Sequence, residues 1–218
     1  MTRILRLPPQ NDKLFAFYNL PFAFCLVFLC GSLSGCGPQV KNLNSTGSSI
    51  ICFGDSLTAG EGAGPGEDYP SVLAGRLKQP VINAGVPGDT TRDGLARIRT
   101  DVLDRGPKLV IVEFGGNDFL HQLPRDETFG NLGQMVDLIQ QKGAAVALVD
   151  LGVDLTLGSG YREGMRRLAR RKGAILIPDV LKGIFADPDL KSDQIHPNGR
   201  GYAVMAQRVY IGLKPYLQ

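Results

Sequence analysis

Five short apolar runs recur along the chain, at residues 50–53, 80–83, 109–114, 145–151 and 174–177. They read as continuous Val, Ile and Leu, the pattern of strands buried on both faces. Between them lie longer segments whose apolar positions fall at helical spacing. Residues 69–78 put Tyr69, Val72, Leu73 and Leu77 on one face, and 91–104 do the same with Leu95, Ile98, Val102 and Leu103. A third helix is expected over 127–142 (Leu132, Met135, Val136, Ile139) and a fourth over 160–172 (Met165, Leu168, Ala169). The last, 198–213, carries Tyr202, Met205, Ala206, Val209 and Tyr210. Strands alternating with helices predict a parallel sheet covered on both sides, a three-layer α/β/α domain of about five strands. With 218 residues and 43% hydrophobic content, the chain suits one domain with a full core.

In such sheets ligands bind outside the carboxyl ends of the strands, so the residues that follow each run matter most. Gly54-Asp55-Ser56-Leu57 follows the first, Asn83-Ala84-Gly85-Val86-Pro87-Gly88-Asp89-Thr90 the second, and Gly115-Gly116-Asn117-Asp118 the third. A late loop holds Asp193-Gln194-Ile195-His196-Pro197. A serine hydroxyl becomes a nucleophile only when a base takes its proton. Taken alone, Asp55-Ser56 reads more readily as a helix cap, and the motif is not the Gly-x-Ser-x-Gly elbow. His196 alters that balance. Asp193 stands three residues before it, a spacing at which a bent loop lets the carboxylate orient one ring nitrogen and turn the other toward a serine. The same loop also reads as a surface turn whose aspartate caps the final helix. Gly88 and Asn117 offer donors for a developing oxyanion, and each alone is equally ordinary turn chemistry. His121, with no carboxylate at a matching spacing, is expected on the cleft wall or the surface.

Taken together, Gly54-Asp55-Ser56-Leu57, Gly88-Asp89-Thr90, Gly115-Gly116-Asn117-Asp118 and Asp193-Gln194-Ile195-His196-Pro197 resemble the four ordered blocks of the SGNH (GDSL) hydrolases. The likeness is greatest to the bacterial thioesterases, lysophospholipases and arylesterases of that family and spans residues 50–213. It implies Ser56 as nucleophile, His196 as base and Asp193 as the orienting carboxylate. It further implies oxyanion donors at the Ser56 N–H, Gly88 and Asn117, and a flavodoxin-like sheet. In the second block Gly85 is also available, and the spacing to Asp89-Thr90 favours Gly88. The expected chemistry is serine ester or thioester hydrolysis through an acyl-enzyme, with no metal and no cofactor. Two alternatives are an O-deacetylase of envelope or capsular polysaccharide and a non-catalytic envelope binding lipoprotein.

The N-terminus points to export. Arg3, Arg6 and Lys13 precede a nearly unbroken apolar stretch from Leu14 to Cys30, and small residues follow, the layout of a secretory signal. Leu33-Ser34-Gly35-Cys36 resembles the lipobox of bacterial lipoproteins. The reading is a signal peptide over 1–35, a lipidated Cys36 with a flexible tether over 36–49, and a hydrolase domain over 50–218. An exported bacterial lipoprotein, anchored to the membrane through Cys36, is therefore expected. An uncleaved anchor helix is the alternative, and Pro21 and the Gly/Ser-rich exit argue against it. Of the four cysteines only Cys52 then remains unmodified, inside the first strand, so no intramolecular disulfide is expected.

Charge narrows the partners. Lys and Arg total 24 against 21 Asp and Glu, a net +3, of which the first 35 residues (Arg3, Arg6, Lys13 and Asp12) contribute +2. A nucleic-acid footprint needs a clustered basic face, and nucleic acid is rejected as a partner. A small acyl ester or lipid is the expected ligand, and a monomer the expected state. Phe119, Leu120 and Leu123 after the third strand, and Leu155 with Leu151, Val153 and Leu157 after the fourth, are expected to line the cleft. The absence of Trp and an aromatic content of 7% leave few platforms for sugars. The run Gly60-Glu61-Gly62-Ala63-Gly64-Pro65-Gly66 does not open directly into a helix and reads as a mobile loop over the cleft.

Overall fold

The computed structural model describes residues 39–152 and 159–217. The proposed signal segment and Cys36 lie outside the described residues, as do Val153, Leu155 and Leu157. Five strands form one sheet: β1 (Ser49–Gly54), β2 (Val81–Gly85), β3 (Pro107–Glu113), β4 (Ala145–Val149) and β5 (Ile175–Ile177). Their spatial order is β2-β1-β3-β4-β5 and every pairing is parallel. This is the flavodoxin-like order expected above. Its switch point, where the order reverses, lies between β1 and β3.

Alternate residues of each strand face opposite layers. Ile50, Cys52, Leu109, Ile111, Ala147 and Val149 face a core closed by α2 (Tyr69–Leu77) and the last long helix, α7 (Gly199–Leu213). Ile51, Phe53, Val110, Val112, Val146 and Leu148 face the other core, under α3 (Thr91–Asp101), α5 (Arg125–Gln141) and α6 (Ser159–Lys172). Ile111 and Val112 are both fully buried, and truncating Ile111 to Ala costs about 2–5 kcal/mol. The strands read as unbroken apolar runs because both of their faces are covered.

The five long helices stand where periodicity puts them, and three of them open on side-chain caps. Asp68 accepts from Ser71 N at the start of α2, and Thr90 and Asp93 form a reciprocal capping box on α3. Asn198 accepts from Gly201 N to open α7. Two expectations shift. The helix over 91–104 stops at Asp101, and a 3-10 turn (Leu103–Arg105) ending in left-handed Gly106 redirects the chain into β3. Residues 41–49, expected as a flexible tether, are fastened to the body. Lys41 N donates to Gly173 O at 2.9 Å, the Asn42 side chain donates to Gln140 O and Ala144 O, and Ser48 N and Ser49 N both reach Gly106 O.

Two short helices escaped the periodicity. They are α1 (Ser56–Ala59), directly after β1, and α4 (Gly116–Leu120), just after β3. Helices of four and five residues carry too few positions to show a face. Both begin at the switch point.

Candidate active site

Asp55 is the N-cap of α1, and its Oδ1 accepts from Leu57 N at 3.0 Å. Ser56 is therefore the first helical residue, a position whose N–H has no acceptor within the helix. Its hydroxyl meets the late loop: Ser56 Oγ lies 3.0 Å from His196 Nε2, and His196 Nδ1 lies 2.8 Å from Asp193 Oδ2. The other oxygen, Asp193 Oδ1, accepts from Ile195 N and His196 N, each at 2.8 Å. One carboxylate thus folds its own loop and orients the imidazole. The His196 bond, followed by the backbone N–H of Ile195, holds the Asp193 carboxyl down at about 2.

That loop is closed at its base. Lys191 and Pro197 form an antiparallel bridge, and Ser192 N donates to His196 O at 3.0 Å. The Asn198 side chain donates to Asp189 O and Lys191 O while its Oδ1 caps α7. Asp193 and His196 are therefore carried by a clamp rooted in a long helix.

Asn117 is the second residue of α4. Its Nδ2 donates to Asp89 O at 2.9 Å and more distantly to Asp55 Oδ2 at 3.3 Å. Gly88 precedes Asp89 in the turn Val86-Pro87-Gly88-Asp89, closed by Asp89 N to Val86 O. Gly88 has φ +85°, and with Pro87 before it this matches a type II turn, which demands a residue tolerant of positive φ there. Arg97 ties these parts together. Its guanidinium reaches Asp89 Oδ2 (2.6 Å), Ala84 O (3.0 Å), Gly54 O (2.9 Å) and Asp101 Oδ2 (2.8 Å), and it lies 4.5 Å from the Phe53 ring centre.

The model of the GDSL-like lipase/acylhydrolase family matches residues 52–204, most of the chain. The chain belongs to this family. The esterase TesA of Pseudomonas aeruginosa is 29% identical over 85% of this chain and 98% of its own length. An arylesterase of Vibrio mimicus is 31% identical over 73% of this chain and 85% of its own. A crystal structure of TesA superposes with a TM-score of 0.72 at 28% identity, covering 78% of this chain and all of that one. An uncharacterised lipoprotein of Bacillus subtilis, YqeF, is 34% identical over 44% of this chain and 38% of its own. This GDSL-like hydrolase is a serine ester hydrolase of α/β architecture.

As in any acylhydrolase, the acyl group needs a place beside the nucleophile. A pocket of about 180 Å3 opens at Ser56 and His196. Phe119, Leu120, Leu151, Leu181, Phe185 and Ile195 supply its apolar wall. Phe119 and Leu120, from the segment after β3, are the first two of these. Leu123 does not line the pocket; its N–H closes the turn after α4 on Asp118 O. Sequence reasoning missed Leu181, Phe185 and Ile195. The first two lie beyond β5 in a segment without periodicity, and the signal for Ile195 was its place beside His196. The Gly60–Gly66 run does not line the pocket. It packs at the base of the His196 loop, where Glu61 O accepts from the buried Tyr202 hydroxyl and Gly62 abuts Ser192. His121 is exposed at the end of α4. Among the described residues no cluster fit to hold a metal is present, and no helix is long and apolar enough to cross a membrane.

Proposed function

We propose that Ser56, His196 and Asp193 form the catalytic triad, with the Ser56 N–H, Gly88 N–H and Asn117 amide as oxyanion donors. The observation that carries this reading is the unbroken relay from Ser56 Oγ through His196 to Asp193, at 3.0 and 2.8 Å. His196 Nε2 removes the Ser56 proton as Oγ attacks the ester carbonyl, while Nδ1–H stays bonded to Asp193. The tetrahedral oxyanion draws on the Ser56 and Gly88 N–H groups and on the Asn117 amide, whose plane the 2.9 Å bond to Asp89 O fixes. The imidazolium then protonates the departing alcohol or thiol. Water, deprotonated by His196, repeats the sequence on the acyl-enzyme and frees Ser56.

The apolar wall of the pocket supports acyl chains over acetylated glycans as substrates, and the names of the relatives agree with aryl and acyl esters. The Leu-Ser-Gly-Cys run ending at Cys36, with the likeness to YqeF, supports an exported lipoprotein held at a membrane. The test uses the chain from residue 37 onward against p-nitrophenyl esters from acetyl to palmitoyl, with Ser56→Ala alongside. Hydrolysis that peaks beyond acetyl and vanishes in the variant is expected. Activity confined to acetyl would favour glycan deacetylation, and activity that survives in Ser56→Ala would remove the triad.

A further inference from the structure

Beneath the nucleophile lies a second carboxyl that the catalytic cycle does not use. Glu113 ends β3, beside the end of β1, and is completely buried; Asp55 is 2% exposed. Glu113 Oε2 accepts from Thr58 Oγ1 at 2.9 Å, and Thr58 Oγ1 lies 3.2 Å from the Tyr69 hydroxyl. Glu113 Oε1 receives no hydrogen bond from any N–H or hydroxyl group. Asp55 follows Gly54, the β1 residue paired with Glu113, so it brings a second buried carboxyl to the same place, near enough for each to shift the other's ionisation. Two carboxylates contain no donor, so a hydrogen bond between them requires a proton. Space for the arrangement is made by Gly54: a Cβ there would fall 2.1 Å from Thr58 Oγ1 and 2.7 Å from Glu113 Oε2.

We propose that Glu113 and Asp55 share one proton and act as a single positioning unit, in which neutral Glu113 donates to ionised Asp55. Asp55 in turn holds the Leu57 N–H on one side and the Asn117 amide on the other. It thereby fixes the turn carrying Ser56 against the loop carrying Asn117. This rests on the reading of those two residues as nucleophile and oxyanion donor. Were both carboxyls ionised, two buried like charges would repel and Asp55 would leave one of its partners.

The surroundings favour retention of the proton. Around Asp55 stand His196 and Asp118, and around Glu113 stand Tyr69, Cys52 and Tyr202; Arg97, which reaches Gly54 O, is itself paired with Asp89 and Asp101. Burial first, then the Asp55 charge, pushes Glu113 well above the carboxylate range, and burial carries Asp55 to about 6. Both effects disfavour a second negative charge in the pair.

Infrared spectroscopy at neutral pH tests the pair without reference to catalysis. The carbonyl stretch of a protonated carboxylic acid is expected in the wild type and should be lost in Glu113→Gln. No such band in the wild type, or a band that persists in Glu113→Gln, overturns the proposal. Kinetics tests the consequence. Glu113→Gln keeps a donor toward Asp55 and an acceptor for Thr58, so kcat stays near wild type. Glu113→Leu, similar in bulk and without either group, loses about 100-fold in kcat with KM unchanged, the scale of one lost oxyanion donor. Equal losses in both variants, or wild-type kcat in Glu113→Leu, would refute a positioning role. Should Glu113→Leu fail to fold, the spectrum and the Glu113→Gln turnover decide. A pocket that proves inactive in the wild type sinks the catalytic reading, and the infrared band then still reports on the shared proton.

Discussion

Asp118 Oδ2 accepts the backbone N–H of Thr91 at 2.8 Å, across 27 residues of sequence. Its Oδ1 is bonded to the Thr91 hydroxyl and accepts from Thr128 Oγ1 at 3.1 Å. The aspartate of Gly115-Gly116-Asn117-Asp118 is thus spent on structure. It pins the start of α3, and with it the Asp89 carbonyl that orients Asn117, to the helix carrying Asn117 itself. Asp118→Ala leaves a buried N–H and two hydroxyls without their acceptor, costing about 1–3 kcal/mol. Denaturant unfolding should show that loss, and kcat should fall while the Ser56–His196 pair stays intact.

Asp193→Asn removes the acceptor that fixes the His196 tautomer. Turnover should fall by about 10⁴-fold with the fold retained; near-normal turnover would take Asp193 out of the triad.

The same residue makes a pH prediction whose sign follows from its depressed pKa. The unfolded carboxyl titrates near 3.9 and the folded one at about 2, so the stabilisation is fully present above the unfolded value and lost on acidification. The difference in unfolding free energy between wild type and Asp193→Asn should stay constant from neutrality down to about pH 4. It should then shrink toward pH 2. Because the carboxylate is half-exposed, the whole effect is small. A difference that grew on acidification would contradict the assignment.

Cys52 is buried in β1, and burial pushes its thiol up to about 12. A thiol without thiolate character is inert. In the chain from residue 37 onward, where Cys52 is the one cysteine, thiol reagents should label only on unfolding. Rapid labelling of the folded protein would mean that β1 opens.

How much was legible in the sequence depends on where each residue's information lies. The long helices were readable because burial on one face leaves a period, and the sheet because burial on both faces leaves unbroken apolar runs. The hydrogen-bonded relay was readable because Asp193 and His196 are three residues apart, so one loop carries both to Ser56. Glu113 was hidden because it closes an apolar strand and its partners, Thr58 and Asp55, come from another strand's end. Phe185 and Leu181 were hidden for a related reason: tertiary folding brings them to Ser56 from a stretch with no repeat of its own. In the sequence Arg97 is one of several charges on α3, and only the fold shows that it is 17% exposed and faces two strand ends.

Arg97 yields the prediction that separates architecture from chemistry. Its planar guanidinium bonds the carbonyls ending β1 and β2 and the Asp89 carboxylate at once. A lysine ammonium is a point charge on a flexible stem and does not reproduce that fork. In Arg97→Lys one carbonyl or Asp89 is left unpartnered in a largely buried setting, a loss of about 2–3 kcal/mol once partial solvent screening is allowed for. The Asp89 turn should then loosen, carrying Gly88 and the Asn117 acceptor with it, while Ser56, His196 and the apolar wall remain in place. Stopped-flow acylation with a p-nitrophenyl ester should therefore slow with KM little changed. Inactivation by a small alkylating reagent aimed at the His196 ring should proceed at the wild-type rate. A rise in KM with an unchanged acylation rate would place the effect of Arg97 in the pocket instead of the oxyanion loop.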